Sequence, residues 1–363
     1  MDVAEKIAKV TQGLAEIVTI DDLKKLFETV EKPRGYIGFE PSGLVHIGWL
    51  IWMKKVKDLV EVGVDFYVLE ATWHALINDK LRGDMDLIRK AAYLARKVME
   101  GLGIDTSRIK FVDAEDLVSD KDYWEILIRA AKRTTLARVK RALTIMGRKS
   151  SEAETDFSKL IYPLMQVADM FYLNLDIALG GTDQRKAHML ARDLAGQLKR
   201  KKPVALHTPI LTGLQGMRKG AEIKEAEIDE VYFEHKMSKS KPETAIFVHD
   251  GPEEIRMKLR KAYCPPRETR FNPVIEINKY LLFTQPGFTL HVERPAKYGG
   301  PIAIYSYEEL ESLYTRGELH PLDLKEATAE ALIKLLEPIR KKLLSDPESR
   351  ELLETLSRAE ITR

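Results

Sequence analysis

A chain of 363 residues, 44% hydrophobic and 31% charged, holds enough apolar material for one large core and a smaller domain. A net charge of +2 excludes a global attractive field for nucleic acid, so any such contact must rest on local basic patches. The single cysteine, Cys264, excludes an internal disulfide framework, and no signal-like apolar segment or run near the roughly 20 residues of a membrane span is visible, so a cytoplasmic location is expected.

Residues 1–30 read as two helices, the second capped by Asp21 or Asp22. Residues 36–48 then open with an apolar alternation of strand type, break at Pro41-Ser42-Gly43, and pass into Leu50, Ile51, Val56, Leu59 and Val60 at helical spacing. A strand, a tight loop and a helix N-terminus present backbone N–H groups and a positive dipole end, which favour a phosphate. His46 at that entry can donate to phosphate oxygens, and Gly48 lets a nucleotide approach the backbone. Taken alone, such a turn is ordinary.

Residues 64–69 form a second buried strand, ending in polar residues and His74, which is either a nucleotide contact or a satisfied structural histidine. A periodic helix over 84–102 and a third strand over 109–112 follow; strand, helix, strand at this spacing implies right-handed crossovers and a doubly wound parallel sheet. The spacing predicts one long helix over 122–147, whose Arg129, Lys132, Arg133, Arg138, Lys140 and Arg141 make either a solvated face or a track for phosphates.

Tyr162, Gln166 and Asp169 stand at i, i+4 and i+7 and share one helical face amid Leu164, Met165, Val167 and Met170, which argues against simple exposure. A fourth strand over 175–179 runs into Gly180-Gly181, read as a tight turn into a helix bearing Gln184, so the two polar sets can converge on one pocket. Residues 212–236 are charged and poorly periodic, and are read as a mobile excursion. Lys236-Met237-Ser238-Lys239-Ser240 follows. Two ammonium groups flanking hydroxyls suit a triphosphate in transit. Pro252, with Glu253 and Glu254, opens a mostly helical remainder with amphipathic stretches at 307–314 and 322–344, and an irregular segment over 271–304 with a turn at Gly299-Gly300.

The ordered pair of His46-Ile47-Gly48 and Lys236 to Ser240 resembles the signatures of class I aminoacyl-tRNA synthetases, closest to the tyrosyl-tRNA synthetases of archaeal and eukaryotic type. Blocks at 36–43, 162–169, 180–186 and 320–325 extend the resemblance over nearly the whole chain. It implies an α/β fold: a doubly wound, Rossmann-type catalytic domain at 1–212 binding tyrosine and ATP, a connection at 213–250 carrying the lysine loop, and a helical anticodon-binding domain at 251–363. The implied reaction is that of a tyrosine–tRNA ligase, which makes tyrosyl-adenylate and transfers tyrosine to the 3′-terminal adenosine of its tRNA. ATP is the co-substrate, Mg²⁺ shares the phosphate charge, and no metal site is expected in the chain itself.

The resemblance also assigns residues. His46, Gly48, Lys236 and Lys239 would be catalytic; Gly38, Glu40, His46, Gly48, Lys236, Ser238 and Lys239 would bind ATP. Tyr36 and Asp169 would bond the phenol of tyrosine, while Tyr162, Gln166 and Gln184 hold its amino end. Tyr298, His320 and Asp323 would grip the first anticodon base, and Arg185 and Lys186 other parts of the tRNA; the plainer alternative has Asp323 as a helix N-cap and Tyr298 as packing. A homodimer is expected, burying apolar surface of 123–146.

Two positions depart from the family. Trp49 stands where many relatives have the second histidine of the first signature, and Thr72 where they often carry an aspartate. Two alternatives remain: a tryptophanyl-tRNA synthetase, against which the pair Tyr36 and Asp169 speaks, and a catalytically silent RNA-binding homologue, against which His46, Gly48, Lys236 and Lys239 speak.

Overall fold

The computed structural model describes residues 1–146, 156–217, 235–239 and 241–359. The chain forms two compact units, one of Met1–Leu44, Trp52–Pro209 and Glu351–Arg363, the other of Val45–Ile51 and Ile210–Arg350. The boundary between them passes through the opening motif. The expected connection at 213–250 falls in the second unit together with most of the expected C-terminal domain, while the end of the last helix, Pro347–Arg358, groups with the first.

In chain order the first unit contains α1 (Val3–Thr11), β1 (Glu16–Val18), α2 (Ile20–Thr29), β2 (Arg34–Phe39), α3 (Trp49–Glu61, entering from the second unit), β3 (Asp65–Glu70), α4 (Thr72–Ile77) and α5 (Met85–Gly101). It continues with β4 (Ile109–Asp113), α6 (Ala114–Val118), α7 (Lys121–Ala131), α8 (Leu136–Ala142), α9 (Ser158–Tyr172), β5 (Ile177–Gly181), α10 (Arg185–Ala195) and β6 (Val204–Thr208). The sheet order is β1-β6-β5-β2-β3-β4, parallel except for the edge strand β1, which pairs antiparallel with β6. This is the doubly wound, Rossmann-type sheet expected. Strands β2, β3 and β4 step one way and β5 and β6 the other, so the switch point lies between β2 and β5, where such sheets bind ligands at their carboxyl ends.

The strands expected at 36–39, 64–69, 109–112 and 175–179 are β2 to β5, with β5 starting two residues later. Strands β1 and β6 were not foreseen. The cap of α2 is Thr19, whose hydroxyl accepts from the Asp22 amide, and neither Asp21 nor Asp22 serves. The long helix expected over 122–147 is broken: α7 ends at Ala131 and α8 begins after Thr135, which caps it, because two threonines in succession compete for backbone hydrogen bonds and favour a helix start over a helix interior. Within its basic run, Arg129 pairs with Glu125 and Arg138 with Asp193. The core on one face of the sheet joins Tyr36 and Leu69 to Tyr123, Leu127, Met165, Ala168, Phe171 and Leu190 from α7, α9 and α10.

The second unit is mainly helical, with helices Pro252–Lys261, Pro273–Ile277, Tyr307–Arg316 and Pro321–Ser345. Its expected irregular segment contains a short antiparallel pair, β7 (Leu290–Val292) with β8 (Ile302–Ile304), besides the helix Pro273–Ile277, which Asn272 caps by accepting from the Val274 and Ile275 amides. Residues 218–234, most of the expected mobile excursion, and Ser240 lie outside the described residues. No helix among the described residues is long and apolar enough to cross a membrane.

Candidate active site

The first constellation sits at the β2/β5 switch point of the first unit. Tyr36, on β2, is buried, and α9 projects Tyr162, Gln166 and Asp169 from one buried face, as the spacing predicts. Asp169 is only 2% exposed. Its Oδ1 accepts from the Tyr123 hydroxyl at 2.8 Å, and its Oδ2 lies 3.1 Å from His74 Nε2 without hydrogen-bond alignment. His74 stands edge-on to Tyr162, ring centroids 5.0 Å apart. Burial, reinforced by the charge on Asp169, pushes the phenol pKa values of Tyr36 and Tyr123 up, so both stay protonated and can only donate toward the carboxylate.

Gln166 and Gln184 meet at the other end. Gln166 Nε2 donates to Gln184 Oε1 at 3.2 Å, and Gln184 Nε2 donates to the Ile145 carbonyl at 3.2 Å. Gln166 Oε1 is buried with no hydrogen-bond partner among the described residues, an acceptor ready for an ammonium N–H. Glu40, expected beside ATP, accepts here from the Tyr162 hydroxyl and, at 2.9 Å, from Asn78 Nδ2. Gly38 lies on β2, where an added Cβ would stand 3.5 Å from Tyr36 Cε2.

Gly180 and Gly181 do not form the tight turn expected of them; they are the end of β5. A Cβ on Gly180 would come within 2.9 Å of Gln184 Cβ and His188 Cε1, so the glycine allows the start of α10 to close on the strand and bring Gln184 inward. Thr72 at the start of α4 donates to Asp113 on β4, and Trp73 Nε1 donates to Glu115 at 2.7 Å. These bonds fix the short helix that presents His74.

The second constellation belongs to the second unit. Ile47 N–H donates to the Ile246 carbonyl at 2.9 Å and Val248 N–H to the Val45 carbonyl at 3.0 Å, an antiparallel bridge centred on His46 and Phe247 that holds the first signature. Gly48 N–H donates to His46 Nδ1 at 3.2 Å, and a Cβ at position 48 would stand 2.9 Å from His46 Cε1. Burial, then the nearby Lys239 and Lys236 charges, lower the His46 pKa well below the usual 6.5, so the ring is neutral. With Nδ1 accepting, the proton is on Nε2, which makes His46 a donor.

Lys236 pairs with Thr212 in a second antiparallel bridge, flanked by Gly213 N–H to the His235 carbonyl and Met237 N–H to the Leu211 carbonyl, both 2.8 Å. In that arrangement the Thr212 amide points away from the lysine strand, and the buried Glu276 carboxylate takes it at 2.7 Å while its other oxygen takes the Thr212 hydroxyl at 3.0 Å. Ser238 is half-buried, and its carbonyl accepts from the Lys241 amide at 3.3 Å. Lys239 is buried, its Nζ 3.9 Å from the centroid of the Trp49 ring.

The residues expected to meet tRNA are placed as follows. Arg185 is exposed and pairs with Glu16, Nε lying 2.9 Å from both carboxylate oxygens, and Lys186 is half-buried beside it on α10. His320 caps the helix Pro321–Ser345 by accepting from the Leu322 amide, so Asp323, third in that helix, is not its cap. The Asp323 carboxylate makes no hydrogen bond or ion pair with a described residue. The side chain of Tyr298 lies outside the described part of the structure. Sequence reasoning missed Tyr123 and left His74 undecided; Tyr123 is 46 residues from Asp169 and carries no local signal of that contact.

The sequence model of the tRNA synthetases class I (W and Y) matches residues 28–221 and 229–337. The chain belongs to that class of enzymes. A tyrosine–tRNA ligase of Aeropyrum pernix is 61% identical over 363 residues, 100% of this chain and 99% of its own, and one of Sulfurisphaera tokodaii is 59% identical over the same shares. The crystal structure of a tyrosyl-tRNA synthetase of Pyrococcus horikoshii complexed with L-tyrosine superposes with a TM-score of 0.90 at 44% identity, covering 98% of this chain and 100% of that one. Within the class, the chain falls with the archaeal tyrosyl-tRNA synthetases and is an aminoacyl-tRNA synthetase.

Proposed function

We infer from the two constellations how the chain acts as a tyrosine–tRNA ligase, with ATP as substrate. Asp169 carries the reading: a carboxylate 2% exposed, already held by one phenol and close to another, is what a tyrosine hydroxyl needs as its buried acceptor. Tyr36 and Asp169 bind the phenol of the substrate, and a phenylalanine would leave them unpaired, a loss worth about 10⁴ to 10⁵ in discrimination without an editing domain. Gln166, whose Oε1 is unpartnered among the described residues, receives the amino group with Tyr162 and Gln184. An indole offers no matching hydroxyl, so the tryptophanyl reading is not favoured.

The tyrosine carboxylate attacks the α-phosphate of ATP in line, and pyrophosphate leaves. No protein nucleophile is required, and catalysis is positioning and stabilisation of phosphate charge. His46 donates from Nε2 to a phosphate oxygen, Gly48 admits the adenosine, and Lys236, Ser238 and Lys239 hold the departing pyrophosphate, whose charge Mg²⁺ shares as the nucleotide's counterion. Gly38 on β2 and Glu40 just beyond it contribute to ATP binding in this reading. In the second step the ribose hydroxyl of the terminal adenosine attacks the tyrosyl carbonyl of the adenylate, the acyl–phosphate bond breaks and AMP leaves. Arg185 and Lys186 contact that tRNA, and Tyr298, His320 and Asp323 its anticodon, with catalysis assigned to 1–212 and the loop of 213–250, and anticodon binding to 251–363.

The enzyme acts in the cytoplasm as a homodimer. Trp124 and Ile128 on α7 and Leu136 on α8 are 41%, 56% and 59% exposed, an apolar seam that a second copy would cover. Light scattering should give twice the mass of a 41.5 kDa chain at micromolar concentration, and a single-chain mass would refute the dimer. ATP–pyrophosphate exchange with each amino acid in turn tests the activity: exchange driven by tyrosine is expected, and exchange driven by tryptophan, or by none, would overturn it.

A further inference from the structure

Lys239 is a cation only 5% exposed, and its ammonium lies over the π-face of Trp49, 3.9 Å from the ring centroid. Trp49 also meets His46 edge-on, centroids 6.3 Å apart at 70°, so the indole stands against both a phosphate donor and a phosphate-binding lysine. These contacts lie within the second unit. They occur at the position where the sequence departs from the usual first signature.

We propose that Trp49 is a positioning residue for Lys239: its indole face seats the ammonium and presents it for the pyrophosphate. The inference rests on the reading that the Lys236 to Lys239 loop handles ATP phosphates. An ammonium out of water is stabilised by electron density set against it. The ring quadrupole of tryptophan, the strongest among the aromatic residues, attracts the cation without adding a counter-charge of its own. Since cation–π attraction is broad in angle, the lysine can shift along the ring toward the leaving group without losing its hold. A histidine at position 49 would offer an N–H donor to phosphate; the tryptophan acts instead through the lysine it holds.

Single-turnover formation of tyrosyl-adenylate, normalised to titrated active sites, tests this in four proteins: wild type, Trp49→Leu, Lys239→Ala and the double variant. Trp49→Leu removes the π-face from the ammonium and should slow adenylate formation about tenfold, with tyrosine affinity unchanged. Trp49→Phe, a weaker ring, should recover part of the rate. In the Lys239→Ala background Trp49→Leu should cost under about twofold, because the lysine it positions is gone. Equal losses in both backgrounds, or a lowered melting temperature with an unchanged rate per active site, would overturn the proposal and leave Trp49 a packing residue. Lys239→Ala with a normal rate would contradict the reading of the loop itself, and the role of Trp49 with it; a slow Lys239→Ala beside a normal Trp49→Leu would sink only the latter.

Discussion

Glu276 grips Thr212 with both carboxylate oxygens, taking its amide at 2.7 Å and its hydroxyl at 3.0 Å, and Thr212 is the residue that bridges Lys236. A buried carboxylate therefore fixes the base of the lysine loop, although it touches neither lysine in that bond. Glu276→Ala removes both acceptors and leaves the Thr212 amide and hydroxyl without this partner. We predict a slower adenylate step, by about tenfold or more for the loss of these hydrogen bonds, with tyrosine affinity retained. Stopped-flow measurement of adenylate formation checks it; an unaltered rate would make the Glu276 contact purely structural.

The phenol pocket gives a second prediction. Asp169→Ala should remove about 1.5 to 3 kcal/mol of tyrosine binding while ATP affinity stays near that of the wild type. Tyr123→Phe should weaken tyrosine binding less, and should narrow the preference for tyrosine over phenylalanine, because Asp169 Oδ1 loses the 2.8 Å bond that orients it. Equilibrium binding of both amino acids decides the matter. Intact tyrosine binding with failed ATP binding would assign the pocket to the wrong substrate.

Both halves of that pocket show how much the chain's pattern could tell. The buried parallel strands β2 and β3 read as apolar runs, and the stripe of Tyr162, Gln166 and Asp169 needs only helical periodicity, so both were legible. Strand β6 was not, because Val204–Thr208 is five residues long behind a run of lysines and is defined by pairing with β5. Strand β1, three residues long, exists only through its partner β6. Thr134 and Thr135 interrupt a sequence whose helical period continues on either side, and their local hydrogen bonds, Thr134 to the Ala130 carbonyl and Thr135 as the cap of α8, set the break. Tyr123 and Glu276 escaped because each acts on a residue tens of positions away, which periodicity cannot report.

Acid stability should follow the buried histidine pair. His188 Nδ1 and His207 Nε2 are 3.0 Å apart, and His207 Nδ1 is 2.7 Å from Glu16 Oε2. Burial, then the neighbouring His207, lowers His188 to about 3 from the usual 6.5. The unfolded chain binds this proton below pH 6.5 and the folded one does not until about pH 3, so the stability the neutral ring contributes is present above 6.5 and is lost as pH falls toward 3. The slope contributed is at most about 1.4 kcal/mol per pH unit. Melting temperatures between pH 7.5 and 4.5 should decline less steeply for His188→Gln than for the wild type. Parallel declines would mean that His188 does not set the acid limit.

The anticodon assignment is testable at Asp323, which no described residue engages and which His320 relieves of any capping duty. A free carboxylate can accept from the N1–H and N2–H of guanine. Asp323→Ala should cost about 1 to 3 kcal/mol in charging tRNA whose anticodon begins with G, leaving tyrosine activation without tRNA and the melting temperature unchanged. Normal charging by this variant would remove Asp323 from recognition.

The most direct test of the account is aminoacylation itself: wild-type protein, ATP, Mg²⁺ and a tRNA(Tyr) transcript, with labelled tyrosine, phenylalanine and tryptophan compared by acid-gel separation of charged from uncharged tRNA. The account predicts charging with tyrosine alone, at the terminal adenosine, and its loss on periodate oxidation of that ribose. Charging with tryptophan, or no charging while tyrosine still binds, would contradict it.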